Sequence, residues 1–398
     1  MRITSANRYA TAIANLQQRQ QELTQAQNQM TTGKRTAVPS DDPVAVARAE
    51  RALAVQGRVT AAQRATAASR STMSLAESAL GSAVDLLQTA RETVVSAGDA
   101  SYDSSQRAAL ADQLKQLRSQ LLTVANQGDG NGGYVFGGQG SQSEPLLDGI
   151  GGVRFAGTAG QGSLSSQNDL PSAVDGQAIW MTANSGNGVY VTDAAAANTG
   201  SGWIDAGGVS DPSALTGHDY SIQFTVSGGT TTYAVLDNGN PTAVTAAPYT
   251  SGGTITVAGQ SFHITGAPAD GDRFTLTPST ANLDPFSVLD RAIAVLGNAS
   301  ATSAQVQQAV NSGLRDLDSV MGHVQAARSA AGATLTSLDQ IDSRSQDRML
   351  WAKTVQSDAE DVDMVQAVST FQNLQTSYQT ALQSYATVQR LSLFDYLK

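Results

Sequence analysis

The sequence contains no cysteine. Disulfides, thiolate nucleophiles and cysteine-ligated metals are therefore excluded. Charge is also scarce: Asp, Glu, Lys and Arg make up 15 % of the 398 residues, against about a quarter in ordinary soluble proteins. The charge that exists leans acidic, with 34 acidic and 24 basic residues and a pI of about 4.7. That balance offers neither the basic footprint of a nucleic-acid binder nor a polybasic patch for anionic lipid. No run of about 18 apolar residues occurs, so no membrane insertion is expected. The opening MRITSANRYATAIANLQQRQQ lacks the apolar stretch and small-residue cleavage site of a secretory leader. The chain is expected either to stay inside the cell or to leave by a route that cleaves no signal.

Gln, Ser, Thr, Ala and Gly fill the gap left by charge, in a chain long enough for two to four domains. The pattern falls into three parts: helical, then β-rich and Gly-rich, then helical again. In the first, Tyr9, Ile13, Leu16, Gln20, Leu23, Gln27 and Met30 are spaced alternately by four and three, a heptad seam softened by two glutamines. Gly33 stops this helix, with Lys34 and Arg35 beside its last carbonyls. PSDDP at 39–43 starts the next: Ser40, Asp41 or Asp42 caps it and Pro43 suits its first turn. It runs to about Val95 with a stripe at Met73, Ala76, Leu80, Val84, Leu87 and Val94. Ser104 or Ser105 caps a third helix, to about Gln127, striped at Leu110, Leu114, Leu117, Leu121 and Val124.

From about 128 to 283, short alternating runs such as Tyr220–Val226, Thr254–Val257 and Arg273–Leu276 read as strands, with SGG and DNGN as hairpin turns. Asp284-Pro285 restarts helix. Helices follow at about 285–297 and 303–351, then to the C-terminus, where Phe371, Leu374, Tyr378, Ala381, Leu382, Tyr385 and Val388 form the last stripe.

A single heptad stripe gains its roughly 1.5–3 kcal/mol per buried Leu or Val only when a partner covers it. The expected fold is therefore α+β: a long antiparallel helical bundle or coiled-coil rod built from both termini, carrying a β-rich insertion of two small domains. The expected divisions are an N-terminal assembly helix (1–40), a first helical half (41–140), β-rich domains at 141–200 and 201–283, a second helical half (284–360) and a C-terminal assembly helix (361–398). The outermost stripes, around 1–30 and 371–398, are best covered by neighbouring copies of the chain. The expected assembly interface comprises Tyr9, Ile13, Leu16, Leu23, Met30, Phe371, Leu374, Tyr378, Leu382, Tyr385 and Val388.

Several segments resemble a known family. MRI at the start, TGKR at 32–35, PSDDP at 39–43 and DGNGGYVFGG at 129–138 resemble the N-terminal half of the flagellin-like hook–filament junction proteins, the third hook-associated proteins. RSAAGATLTSLDQIDS at 328–343, QSDAEDVD at 356–363 and LSLFDYL at 391–397 resemble their C-terminal half, which adds Leu391, Leu393 and Phe394 to the interface. The segment 249–274 also resembles a β module of larger hook-associated proteins. The resemblance implies secretion as an unfolded chain by the flagellar type III export apparatus, after a cytoplasmic export chaperone has held the C-terminal segment. It implies a ring of copies in the flagellar axis at the hook–filament junction, above the other junction protein and beneath flagellin. Flagellin itself, or a secreted β-domain adhesin on a helical stalk, is the alternative.

Catalytic chemistry finds little footing. His218, His263 and His323 show no metal-binding spacing and read as polar surface or turn residues. Gly33-Lys34 lacks the earlier glycine of a phosphate loop and follows a helix. Asp129-Gly-Asn131-Gly lacks the later glutamate of a calcium loop and reads as a tight turn. Asp358/Asp361 and Glu360/Asp363 read as i, i+3 pairs on a helix, forming either a solvated face or a contact to another subunit. Arg2, Arg8, Arg19, Lys34 and Arg35 are the candidate partners. Gly- and Ser-rich turns in the middle can bind sugars, but hairpin geometry explains them. No enzyme activity, catalytic residue, cofactor or metal is expected.

Overall fold

The computed structural model describes residues 2–36, 38–140, 142–165 and 170–396, with side chains described between 10 and 387. Seven α-helices are present among them: α1 (Arg2–Thr32), α2 (Pro43–Ala97), α3 (Ser104–Ala125), α4 (Gly176–Trp180), α5 (Pro285–Leu296), α6 (Ser303–Glu360) and α7 (Met364–Tyr396). Short strands fill the stretch between α3 and α5. The result is an α+β fold, as the pattern predicts.

The helix boundaries follow local chemistry. Gly33 takes φ +69°, a left-handed conformation that ends α1 cheaply only at glycine. Of the three capping candidates before α2, Asp42 does the work: its carboxylate accepts the Ala45 N–H at 3.0 Å. That bond, with Arg35 nearby, holds the Asp42 carboxyl below its usual range. For α3 the expected serines are displaced by Asp103, which accepts the Gln106 N–H at 2.8 Å while the Gln106 side chain accepts the Asp103 N–H at 2.9 Å. This reciprocal box satisfies two orphan donors, whereas a serine cap satisfies one. Asp284 caps α5 by accepting the Ser287 N–H at 2.8 Å, with Pro285 in the first turn. Helix α6 runs nine residues past the expected stop near 351 and ends at Glu360.

The chain divides into two compact units, one of residues 1–64 with 341–398 and one of residues 65–340. In the second unit the expected stripes are the core. Leu80, Leu87, Leu114 and Leu121 are fully buried, joined by Leu289, Leu317, Val320 and Val324 from α5 and α6. Each such side chain contributes roughly 1.5–3 kcal/mol on burial. Here α2 and α6 run antiparallel, shown by three ion pairs whose numbers rise along one helix and fall along the other: Arg70–Asp339, Glu77–Arg328 at 2.7 Å and Arg91–Asp318 at 2.6 Å. Arg118 of α3 is nearly buried and ties the 146–155 hairpin to α5, through Asp148 at 2.6 Å and Asp290 at 2.7 Å.

A second core lies within the same unit. Tyr190, Ile222, Phe224, Phe262, Ile264, Phe274 and Leu276 are buried together. Strands 190–194, 220–227, 230–237 and 273–278 share one sheet, and 254–257 pairs with 260–265 in another. Strand 190–194 thus belongs with the strands that follow it, through pairing with 273–278. The predicted hairpin turns form at Gly228-Gly229 and Asn238-Gly239, both with two consecutive positive φ values, the twist-matched type for two-residue loops. The chain enters and leaves this β module through adjacent strands, 183–184 against 281–283, closed by Ser185 N–H to the Thr280 carbonyl at 2.9 Å.

Asp272 explains the ADGD segment of the module. Its carboxylate is buried and accepts backbone N–H groups of Thr199 at 2.9 Å, Gly200 at 3.1 Å and Ala269 at 2.8 Å. Asp272→Ala orphans three donors and is expected to lower the stability of the module by about 2–4 kcal/mol, with Asp272→Asn costing less. Urea unfolding followed by hydrogen exchange of the amides in strand 273–278 reads the change. An unchanged midpoint in Asp272→Ala would contradict this role.

Candidate assembly interface

The first unit has little interior of its own. Its buried apolar cluster consists of Ala45, Ala49 and Ala359 among the described residues. Alanine lets α2 and the end of α6 approach closely, and the Gln56 amide donates to the Gln356 carbonyl oxygen at 2.7 Å across them. Each alanine offers one methyl group, so the apolar contribution of this contact is small.

Helices α1 and α7 pack against each other. A short antiparallel bridge joins the chain where α1 ends to the chain where α7 begins. Lys34 is bridged to Asp361, the Arg35 N–H donates to the Glu360 carbonyl at 2.6 Å, and the Val362 N–H donates to the Gly33 carbonyl at 2.9 Å. Side chains reinforce it. The Lys34 ammonium lies 2.8 Å from the Glu360 carboxylate, and the Arg35 guanidinium donates to the Ala359 carbonyl at 3.1 Å. Because α1 arrives at this bridge and α7 leaves it, the two helices run antiparallel.

This arrangement corrects the reading of the acidic cluster. Helix α6 ends at Glu360, so Asp361 and Asp363 lie beyond it and the i, i+3 pairs do not share a helix face. Glu360 meets Lys34 of the same chain, and Asp363 caps α7 by accepting the Val365 N–H at 2.9 Å. Arg19 is exposed, and the side chains of Arg2 and Arg8 lie outside the described residues. The Lys34–Glu360 pair was legible as two complementary charged motifs, TGKR and QSDAEDVD; that they meet within one chain was not.

The seam residues are only partly covered. Leu16, Leu23 and Met30 on α1, and Phe371, Leu374, Tyr378 and Tyr385 on α7, are half-buried. Ile13 remains 44 % exposed and Leu382 42 %. Between the two helices only Ala26 and Ala367 are buried among the described side chains. The chain thus supplies part of the cover that the stripes were expected to find on neighbours, and leaves the remainder open. The side chains of Tyr9, Val388, Leu391, Leu393 and Phe394 lie outside the described residues. Periodicity did not flag Leu350 and Trp351, adjacent on α6 and 67 % and 59 % exposed, since they belong to no stripe.

The polar motifs set aside on sequence take ordinary roles. Asp129 accepts the Asn131 and Gly133 N–H groups at 2.8 and 2.9 Å, a turn. His218 pairs with Asp237 at 2.9 Å and His263 with Asp205 at 2.8 Å on the surface of the β module, while the His323 ring nitrogen sits 2.8 Å from the Ala178 carbonyl oxygen. No helix among the described residues is long and apolar enough to cross a membrane.

The chain is similar to several known proteins. The bacterial flagellin N-terminal helical region matches residues 3–141. Flagellar hook-associated protein 3 of Salmonella typhimurium is 26 % identical over 401 residues, covering 99 % of each chain. Flagellin FljM of Caulobacter vibrioides is 30 % identical over 121 residues, 30 % of this chain and 44 % of its own. The crystal structure of the flagellar junction protein FlgL from Legionella pneumophila superposes with a TM-score of 0.69 at 26 % identity, covering 79 % of this chain and all of that one.

The Lys34–Glu360 contact lifts the lysine above its usual range through the carboxylate hydrogen bond and charge. A raised lysine contributes fully below the ordinary lysine range and loses that contribution only as pH rises through the lifted value, so the pair stays charged on the lysine side at neutral pH. In Glu360→Ala, hydrogen exchange of the Arg35 and Val362 amides is expected to accelerate by about three- to tenfold while amides of the 65–340 unit stay unchanged. Unaltered exchange at both amides would show that the backbone bridge holds without the ion pair.

Proposed function

We propose that this chain is a flagellin-like hook-associated protein of the third kind, supported by its similarity to such proteins, and that its terminal unit is the surface through which copies join into a ring at the end of the hook. It is a structural component of the hook–filament junction. The observation that carries the assembly reading is the terminal unit itself: an interior made of alanines and Val59 among the described residues, and a seam of half-covered Leu, Met, Phe and Tyr. Such a unit gains little from folding alone and gains the rest when neighbours cover it.

The finer partners follow the same logic. The other junction protein below and flagellin above are the neighbours whose helices meet Ile13, Leu16, Leu23, Met30, Phe371, Leu374, Tyr378, Leu382 and Tyr385, together with Tyr9, Val388, Leu391, Leu393 and Phe394. Before export the amphipathic segment of α7 fits a cytoplasmic chaperone that shields it, and the flagellar type III apparatus is the export route that goes with this reading. The role is mechanical rather than catalytic.

Immunogold electron microscopy with antibody against residues 141–283 is expected to give a single band where hook meets filament. Label along the whole filament would make the chain a filament subunit. Leu382→Asp or Tyr385→Asp is expected to cut incorporation at the junction by at least about tenfold, since a carboxylate cannot enter a covered seam without a partner. Backbone amides of the β module should keep their hydrogen-exchange protection in both variants. Full-length filaments on either variant would sink the seam account.

A further inference from the structure

A cleft lies between the two interiors of the 65–340 unit. Helices α5 and α6 form one wall, and strand 190–194 with the loop after it forms the other. Its volume is about 680 Å³, within the range of roughly 300–1,000 Å³ that small-molecule sites occupy. The cleft stays open because its walls are short: Ala194, Ala304, Ala309 and Gly313 stand where larger side chains would fill it. Val191, Leu283, Val288, Ala292 and Val295 give it an apolar surface.

Four charged side chains line the cleft: Asp193, Arg291, Arg315 and Asp316. They are not equivalent. Asp316 is buried and both its oxygens are taken: Oδ1 accepts from Arg315 Nε at 2.8 Å and Oδ2 from Arg291 Nη2 at 2.7 Å. Arg315 is buried as well, and its Nη1 donates to the Thr192 carbonyl at 2.7 Å and the Thr192 hydroxyl oxygen at 3.0 Å. The Arg291 side chain is 58 % exposed. Asp316 holds its Nη2, and the Arg291 guanidinium makes no other hydrogen bond among the described residues. The cluster thus sets two guanidiniums on one carboxylate, and its spare donors belong to Arg291. Asp193 is exposed, and its carboxylate accepts the neighbouring Ala194 N–H at 2.8 Å. Water and salt screen it more than the buried Arg315–Asp316 pair.

We propose that this cleft binds a small amphipathic monocarboxylate, with its carboxylate on Arg291 and its hydrocarbon part against the Val and Leu wall. A guanidinium offers parallel N–H donors that match the two oxygens of a carboxylate. Asp316 already holds Arg291 in place, so less side-chain freedom is lost when a ligand arrives. The apolar wall adds affinity only for a ligand with hydrocarbon to bury. A second carboxylate on the ligand would meet Asp193, so a single negative charge suits the cleft.

Isothermal titration of the full chain with sodium octanoate tests this, with octanol and acetate as the tail and the charge alone. Octanoate is expected to saturate a single site, with affinity rising about threefold per added methylene from butanoate to octanoate. Octanol and acetate are each expected to bind at least about tenfold more weakly than octanoate. Arg291→Gln is expected to weaken octanoate by at least about tenfold and leave octanol unchanged, with Arg291→Lys recovering part of the loss. Asp193→Asn removes the opposing charge and is expected to strengthen octanoate about twofold. Ala309→Trp fills the cleft and is expected to abolish saturable binding. Native hydrogen-exchange protection of strand 273–278 in each variant shows that the module is folded. Three results would overturn the proposal: no saturable octanoate binding by the unmodified chain, octanol binding as tightly as octanoate, or octanoate binding that survives Arg291→Gln and Ala309→Trp unchanged.

Discussion

The terminal unit depends on helices packed through alanine. Ala45, Ala49 and Ala359 let two backbones come close, and close approach brings dispersion and an amide bond between Gln56 and Gln356, but little apolar burial. Nothing larger is buried in α1 or α7 than Ala26 and Ala367 among the described side chains. A unit built this way sits near the edge of stability. The Lys34–Asp361 bridge fixes where its first and last helices meet, and Leu16, Leu23, Phe371 and Tyr378 stay half-covered. The unit of residues 65–340 obeys a different rule. Leu80, Leu87, Leu114 and Leu121 are fully buried within it, so its interior is filled from within the chain.

The contrast divides labour. A piece that must stay folded in isolation receives leucine and phenylalanine in its interior. The terminal unit has small residues inside and half-covered large ones outside, the composition expected of a piece that joins others. The β module carries the first rule furthest. Its core of Tyr190, Phe224, Phe262 and Phe274 is separate from the helical core, and its chain ends meet at the 183–184 and 281–283 strands. A segment whose ends are adjacent can be gained or lost without moving the helices that hold it.

Much of this was legible in the sequence. The 3.5-residue spacing at Leu110, Leu114, Leu117 and Leu121 marks a buried helix because periodicity reports directly on which face leaves water. Gly33 and Asp284-Pro285 mark helix ends because their backbone chemistry allows little else. The cap of α3 was misplaced because Asp103 and Ser104 are both good caps, and only the return bond from Gln106 separates them. The end of α6 was set too early because no Gly or Pro interrupts the chain before Asp361, and the alanine contact that carries the helix onward is tertiary. The Lys34–Glu360 pair was seen as two halves. Sequence shows charge and composition, but whether a charged group meets its own chain or another is decided by packing.

Low charge on α7 bears on the order of the assembly proposed for the terminal unit. Fields from fixed charge steer partners from a distance and raise association rates. Helix α7 between Met364 and Gln389 has no such field. Copies therefore gain little from each other until their helices are in contact and in register, which keeps free chains apart at low concentration. Selectivity must then come from shape and from where the half-covered Phe371, Leu374, Tyr378 and Tyr385 find cover, not from attraction at range. Under the assembly proposed above, a seam that is silent at a distance and satisfied only in contact favours addition at a prepared end over association in solution.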